Sequence, residues 1–288
     1  MITDLHIHSS ASDGKLTVQE IFQVAKNRNI GFMAITDHDC IGCQIQAIAT
    51  AKKEGISYVT GVELNVTFAH PKYHEGKAVS LDFLGYKFEP TDKALESKLE
   101  TMAKYREERA AKIFDNLNSE FKRENIHVLT KDDFRQIEES VDGVLGRPHI
   151  ADYLVKKNIV KTRQEAFDRY LVKCDVPKYP LYLDEASKLV RDAGGMLVLA
   201  HPNDPHGTSL MALTKSLQEQ TGIIQEKMLE HIDGVECWHS RNTPETTSHY
   251  VAFAKKLGLK MTGGSDCHQK PIIMGTVQVP EWVADQFA

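Results

Sequence analysis

Short apolar runs alternate with amphipathic stretches along most of this chain. Ile2 to His8, Phe32 to Thr36, Ser57 to Leu64 and Ala78 to Tyr86 read as strands. Between them, Thr17 to Asn29 reads as a helix, with Thr17 as N-cap and Glu20 at the capping-box spacing. Ile41 to Glu54 reads as a second helix, stopped by Gly55. From about Thr91 to Ala186 the texture changes to mixed-charge helical sequence. Its helices are expected over Ala94 to Lys122, Lys131 to Glu139, His149 to Lys156 and Arg163 to Lys173. Charges of both signs there predict solvated helix faces. Pro177 and Tyr179-Pro180 mark its end.

Strand and helix alternation then resumes. Leu183 to Ala193 reads as a helix closed by Gly194-Gly195, Met196 to Ala200 as a buried strand and Gly207 to Leu229 as largely helical. Gly234 to Trp238 and Leu259 to Gly263 are strands around a helix from Pro244 to Leu257. The expected class is α/β: a parallel sheet or barrel from 1–90 and 187–288, with a helical insertion at 91–186. In such a fold, chemistry collects at the carboxyl ends of the strands.

Those ends carry metal-ligand residue types. His6 and His8 close the first strand, with Asp13 in the loop beyond. Asp37-His38-Asp39 follows the second, Glu63 the third, and Asp82 lies on the fourth. His201 ends the fifth, Glu236 and His239 belong to the sixth, and Asp266 and His268 follow the seventh. In His-x-His on a strand, both imidazoles point to one side. Two neutral imidazoles make half a site for Zn, Mn or Fe. One such residue alone would mean little; their recurrence at every strand end predicts a metal centre.

Composition adds bounds. A chain of 288 residues with 41% hydrophobic and 26% charged residues is an ordinary globular one. A net charge of -5 shows no basic character suited to long duplex nucleic acid. No stretch approaches the roughly 20 apolar residues of a membrane helix, so no membrane partner is expected. No signal peptide is visible, and the five cysteines read as reduced thiols of a cytoplasmic protein. Cys40 and Cys43 form a lone C-x-x-C without a second pair at zinc-finger spacing, and read as structural.

The series DLHIHSSASDG, ITDHD, GVELN, LAHPN and GSDCH resembles the PHP superfamily, named for polymerase and histidinol phosphatase. Gly146-Arg147-Pro148-His149-Ile150-Ala151 resembles its branch of stand-alone phosphoesterases. The resemblance implies a distorted seven-stranded, TIM-like β/α barrel with two or three divalent ions: Mn, Fe or Zn, or else Mg. One ion would lie between His6, His8, Glu63 and Asp266. A second would share Glu63 with His201 and Asp82, and a third would use Asp13, His38 and His268. This branch usually has His where the chain has Asp82, a harder ligand that favours Mn or Mg. His70 or His74 is the alternative ligand there.

Arg147 and His149 admit a surface ion pair and a helix-start histidine, but the compact Gly-Arg-Pro-His favours a phosphate clamp. His239 is expected to protonate a leaving group or hold a phosphate, and Asp4 and Asp37 to orient histidines. Catalysis would then rest on Glu63, Arg147 and His239. His127, His231 and His249 read as ordinary residues. The implied reaction is phosphate-ester hydrolysis: paired cations lower the pKa of water, and the hydroxide attacks phosphorus in line. The expected substrate is small, a nucleoside monophosphate or bisphosphate or the 5′ end of a short oligonucleotide. Histidinol phosphate, an amidohydrolase acting on a C–N bond and a metal-stabilised binding module are the rival readings.

Overall fold

The computed structural model describes residues 1–140, 145–206 and 208–288. Its first sheet is parallel: β1 (Ile2–Asp4), β2 (Ile30–Met33) and β3 (Ser57–Tyr58) pair in that order. Helices α1 (Val18–Asn27) and α2 (Gln44–Glu54) make the crossovers. Thr17 and Glu20 form the expected capping box on α1. Gly55 ends α2 at φ 69, a left-handed conformation that suits glycine.

The second sheet runs β4 (Gly61–Phe68), β5 (Val79–Tyr86), β6 (Met196–Leu199), β7 (Gly234–His239) and β8 (Lys260–Gly264). Here β4, β5 and β6 are antiparallel neighbours, while β6, β7 and β8 are parallel. The strand expected at Ser57 to Leu64 is thus two, β3 and β4, and the second runs on to Phe68. Ten residues, 69–78, then separate β4 from β5. A parallel return needs about a dozen or more, so the pair closes antiparallel.

The structure is therefore a mixed α/β fold with sheets of three and five strands, not one seven-stranded parallel array. Backbone bonds cross both seams between the sheets. On one side Leu5 donates to Gly263, Asp266 to His6 and His8 to Cys267, with an isolated bridge between Ile7 and Cys267. On the other, Glu63 donates to Asp37 and Asp39 to Glu63, around a bridge between His38 and Glu63. An inner apolar cluster draws Leu5, Phe32, Ala34, Leu84, Tyr86, Val198 and Ala200 from both sides.

Helices α3 (Lys93–Arg123), α4 (Lys131–Glu138), α5 (Arg147–Lys156) and α6 (Arg163–Ala166) fill the middle of the chain; a π-turn at Phe167–Leu171 extends α6. They enclose a cluster of their own, running from Ala110 to Cys174, with Phe121 against Tyr170. The start of α3 belongs elsewhere: Leu95, Leu99 and Met102 pack on the outer face of the large sheet. Helix α7 (Leu183–Asp192) leads back to β6, and α9 (Pro244–Leu257) joins β7 to β8. The helix expected from Gly207 is shorter. Gly207 lies outside the described residues, a 3-10 turn covers Leu210–Ala212, and α8 spans Leu217–Lys227. Among the described residues, no helix is long and apolar enough to cross a membrane.

Candidate metal centre

Strand alternation aims the ligands. On β4, Val62, Leu64, Val66 and Phe68 face the outer core, which turns Glu63 and Asn65 the other way. On β5, Leu81 and Phe83 do the same for Asp82, which pairs in register with Asn65. Beyond β1, Leu5 and Ile7 are buried in two apolar clusters, and His6 and His8 project between them with ring centroids 5.2 Å apart. Asp82 lies on its strand as expected, whereas Glu63 does not sit at the carboxyl end of its own. Glu63 is the third residue of β4, and Asp82 lies in mid-strand.

Glu63 is the hub. Its Oε2 lies 3.3 Å from His6 Nε2, 3.1 Å from His8 Nε2 and 3.1 Å from His38 Nδ1. Its Oε1 lies 2.9 Å from His201 Nε2. Asp266 Oδ1 is 3.5 Å from His6 Nε2, 3.3 Å from His8 Nε2 and 3.3 Å from His268 Nδ1. Asp13 completes the outer side, 3.3 Å from His268 Nε2 and 3.9 Å from His38 Nε2.

Four sets place ligand atoms within 4.8 Å of one another: His6, His8 and Glu63; Glu63, Asp82 and His201; His6, His239 and Asp266; and His8, Asp13, His38 and His268. The nine expected ligands thus come together, joined by His239. His239 is buried, with Nε2 3.4 Å from Asp266, and does not line the cavity above the centre. That places it in one set with His6 and Asp266. His70 and His74 are elsewhere: His70 faces Glu226 at 3.4 Å, and His74 lies in an exposed 3-10 turn.

The donor set fits divalent ions. His6 Nε2, both ring nitrogens of His8, Glu63 Oε2, Asp13 Oδ1 and His201 Nδ1 are buried without a hydrogen-bond partner. Unpaired buried polar atoms are costly, and a cation would satisfy those that converge. His6 Nδ1 is already held, 3.0 Å from Glu236 Oε1, which leaves Nε2 for a metal. Glu236 Oε2 also accepts the His201 N–H at 2.7 Å. Glu236 is thus the carboxylate that orients a histidine. Asp4 instead accepts backbone N–H groups from Ser265 and Gly275, and Asp37 accepts from Ser9, Ser12 and Cys43. The backbone at Asp39, His201 and Asp266 is left-handed, with φ of 47, 22 and 54. Such conformations cluster at functional sites because the surroundings hold them there.

The electrostatics point the same way. Burial opposes the charge on Glu63, yet His38 and His6 hold its carboxyl well below the ordinary range. Burial likewise disfavours protonation of His8, but the adjacent Asp266 and Glu63 carboxylates outweigh it and raise the imidazole to about 10. His201 reaches about 9 through Glu63. The carboxylates thus favour positive charge in the site. Mn²⁺ uptake near neutral pH is therefore expected to release protons, with affinity falling roughly tenfold for each unit the pH drops, per proton released. Calorimetric titration in two buffers of different ionisation enthalpy checks this, and identical heats would contradict it.

A cavity of about 390 Å³ opens above the centre. Glu63, Asp82, His201 and Asp266 contribute to its floor, and Arg147, Pro148 and His149 of α5 line it from the helical segment. Arg147 Nη1 lies 2.6 Å from Asp175, with its guanidinium over Phe167. His149 Nδ1 accepts the Gly146 N–H at 3.0 Å, so one ring nitrogen serves as a helix cap. Arg106, Arg109, Lys178 and Arg241 also line the cavity, and no motif along the chain pointed to them. Burial lowers the Lys178 ammonium to about 8, opposed by Asp82. Arg106 and Arg109 are two among many charges on α3, and only the fold selects them. Glu236 did carry a signal: it is the one carboxylate in the apolar run Gly234 to Trp238.

Comparison with known proteins finds relatives along nearly the whole chain. The chain is 29% identical over 274 residues to a 3′,5′-nucleoside bisphosphate phosphatase of Chromobacterium violaceum, covering 92% of this chain and 86% of that one. It is 28% identical over 274 residues to a 5′-3′ exoribonuclease of Haemophilus influenzae, covering 92% and 89%. The solved structure of a proposed metal-dependent phosphoesterase from Bifidobacterium adolescentis superposes with a TM-score of 0.81 at 26% identity, over 99% of this chain and 94% of that one. The model of the PHP domain matches residues 4–173, a span that contains His6, His8, Asp13, His38, Glu63 and Asp82. Matched over more than half its length, the chain belongs to the PHP domain family.

Proposed function

We propose that this protein is a metal-dependent phosphoesterase that hydrolyses a phosphate ester of a small nucleotide. Its substrate is a nucleoside monophosphate or bisphosphate, or the 5′ end of a short oligonucleotide. The observation that carries this reading is the convergence of unpartnered buried atoms of His6, His8 and Glu63 beneath a cavity walled by arginines. The names of the bisphosphate phosphatase and exoribonuclease relatives support the nucleotide.

Two or three ions are held in this reading. His6, His8, Glu63 and Asp266 take one, and Glu63, Asp82 and His201 a second. Asp13, His38 and His268 take a third, with His8 beside them. Bound cations lower the pKa of water and draw charge from phosphoryl oxygens. The protein's own groups do the rest. Glu236 fixes the His6 ring so that Nε2 faces inward. Arg147 offers a planar fork to phosphate oxygens, exchanging Asp175 for substrate. The helical segment, 91–186, serves as a lid that limits access to small substrates. An oxygen-rich set at Asp82 favours Mn or Mg at that position.

Phosphate release from a panel of nucleotides with added Mn²⁺ tests the function. Bound metal with no release from any ester would overturn it. Arg147→Ala is expected to raise KM about tenfold with a smaller change in kcat, the pattern of lost substrate binding. Unchanged steady-state constants would remove Arg147 from the clamp.

A further inference from the structure

The ligand groups differ in how firmly packing holds them. The side chains of His6 and His8 are 0% exposed and that of Glu63 is 1%. The outer group is more open: Asp13, His38 and His268 are 16%, 25% and 21% exposed. Asp13 and His38 also ride on loops, one between β1 and α1 and one between β2 and α2.

Both loops are gripped from the helical segment. Lys15 follows Asp13 by two positions, and its Nζ donates to Asp152 of α5 at 2.7 Å. Its N–H donates to the His268 carbonyl at 2.8 Å, so the same residue ties two outer ligands together. Asp152 is steadied in turn by Arg163 at 2.6 Å. On the other side, Arg106 of α3 pairs with Asp39, the neighbour of His38. Asp39 Oδ1 accepts the Asn65 N–H at 3.0 Å, and the Asp39 N–H donates to Glu63 at 2.8 Å. Asp39 stands at φ 47 and needs such restraint to stay there.

We infer that Lys15 and Arg106 are positioning residues for the outer metal group, through which helices α5 and α3 hold Asp13, His38 and His268 in ligating geometry. The inference rests on the metal-centre reading. It makes the helical segment a determinant of metal retention as well as a lid. Exposed ion pairs contribute little to overall stability, so losing the Lys15 pair alters ligand geometry and leaves the fold intact.

The test is calorimetric titration of the metal-free full chain with Mn²⁺. Lys15→Ala and Arg106→Met should each weaken one class of site about tenfold and leave the rest unchanged, the scale seen when residues supporting metal ligands are removed. Lys15→Arg keeps the ion pair and should titrate as wild type. So should Glu185→Gln, which breaks the Lys98–Glu185 pair of the same α3 away from both loops. Lys15→Ala and Arg106→Met binding Mn²⁺ as wild type does, or weakening every site alike, would overturn the inference. A wild-type chain that takes up no Mn²⁺ would bring down the metal reading beneath it.

Discussion

Glu63→Gln is expected to lower phosphate release on the order of a thousand-fold and to strip metal from the protein. The substitution keeps the shape of the side chain and removes its charge. Four imidazoles, those of His6, His8, His38 and His201, lie within 3.3 Å of its two oxygens. An amide offers one neutral oxygen in place of a carboxylate's anionic pair, so the residue would lose the charge with which Glu63 would hold a cation. The histidines also lose a buried counter-charge, an effect on the order of 3–5 kcal/mol when one partner of a buried pair is removed. Metal analysis alongside phosphate release, with circular dichroism to confirm folding, decides the outcome. A folded variant with full metal content and full rate would show that Glu63 is not the hub.

Gly264→Ala acts on the same centre through the backbone. An added Cβ would lie 2.3 Å from the His6 nitrogen, 2.5 Å from its Cβ and 2.8 Å from its Cα. Neither chain can step aside easily, because Leu5 donates to Gly263 at 3.1 Å and Asp266 to His6 at 2.8 Å. Separating them costs about 3 kcal/mol or more, the upper range for overpacking a core. The urea midpoint should fall accordingly, and Mn²⁺ uptake with it, since His6 and Asp266 are both displaced. A variant as stable as wild type would mean that the two segments pack less closely than described.

The residues that converge were legible in the sequence because charged and imidazole groups are rare at buried positions. A chain that places one beside every strand announces a shared site. The architecture was less legible. The alternation Asn65-Val66-Thr67-Phe68 continues the strand past Leu64, and missing it made the link to the next strand look long enough for a crossover. Read to Phe68, the link forces an antiparallel turn, and Glu63 moves from the end of a strand to its beginning. The roles of Asp4 and Asp37 were misread for a related reason. Both precede or flank histidines in sequence, but their partners are backbone amides, hydroxyls and a thiol, with no imidazole nitrogen among them. Arg106, Lys178 and Arg241 were invisible because only tertiary packing brings them over the cavity.

The two sheets meet along seams, and each seam runs through residues of the candidate metal centre. His6 and His8 face Asp266 and His268 across one, and His38 faces Glu63 across the other. Ions bound there would act as rivets that fasten one half of the molecule to the other. Chelation would then do more than silence a catalyst: it would open the joints and expose the chain to proteolysis, as ligand loss does whenever binding favours the folded state. On this account the lifetime of the protein in a cell follows the supply of metal, and scarcity would clear the empty enzyme instead of storing it.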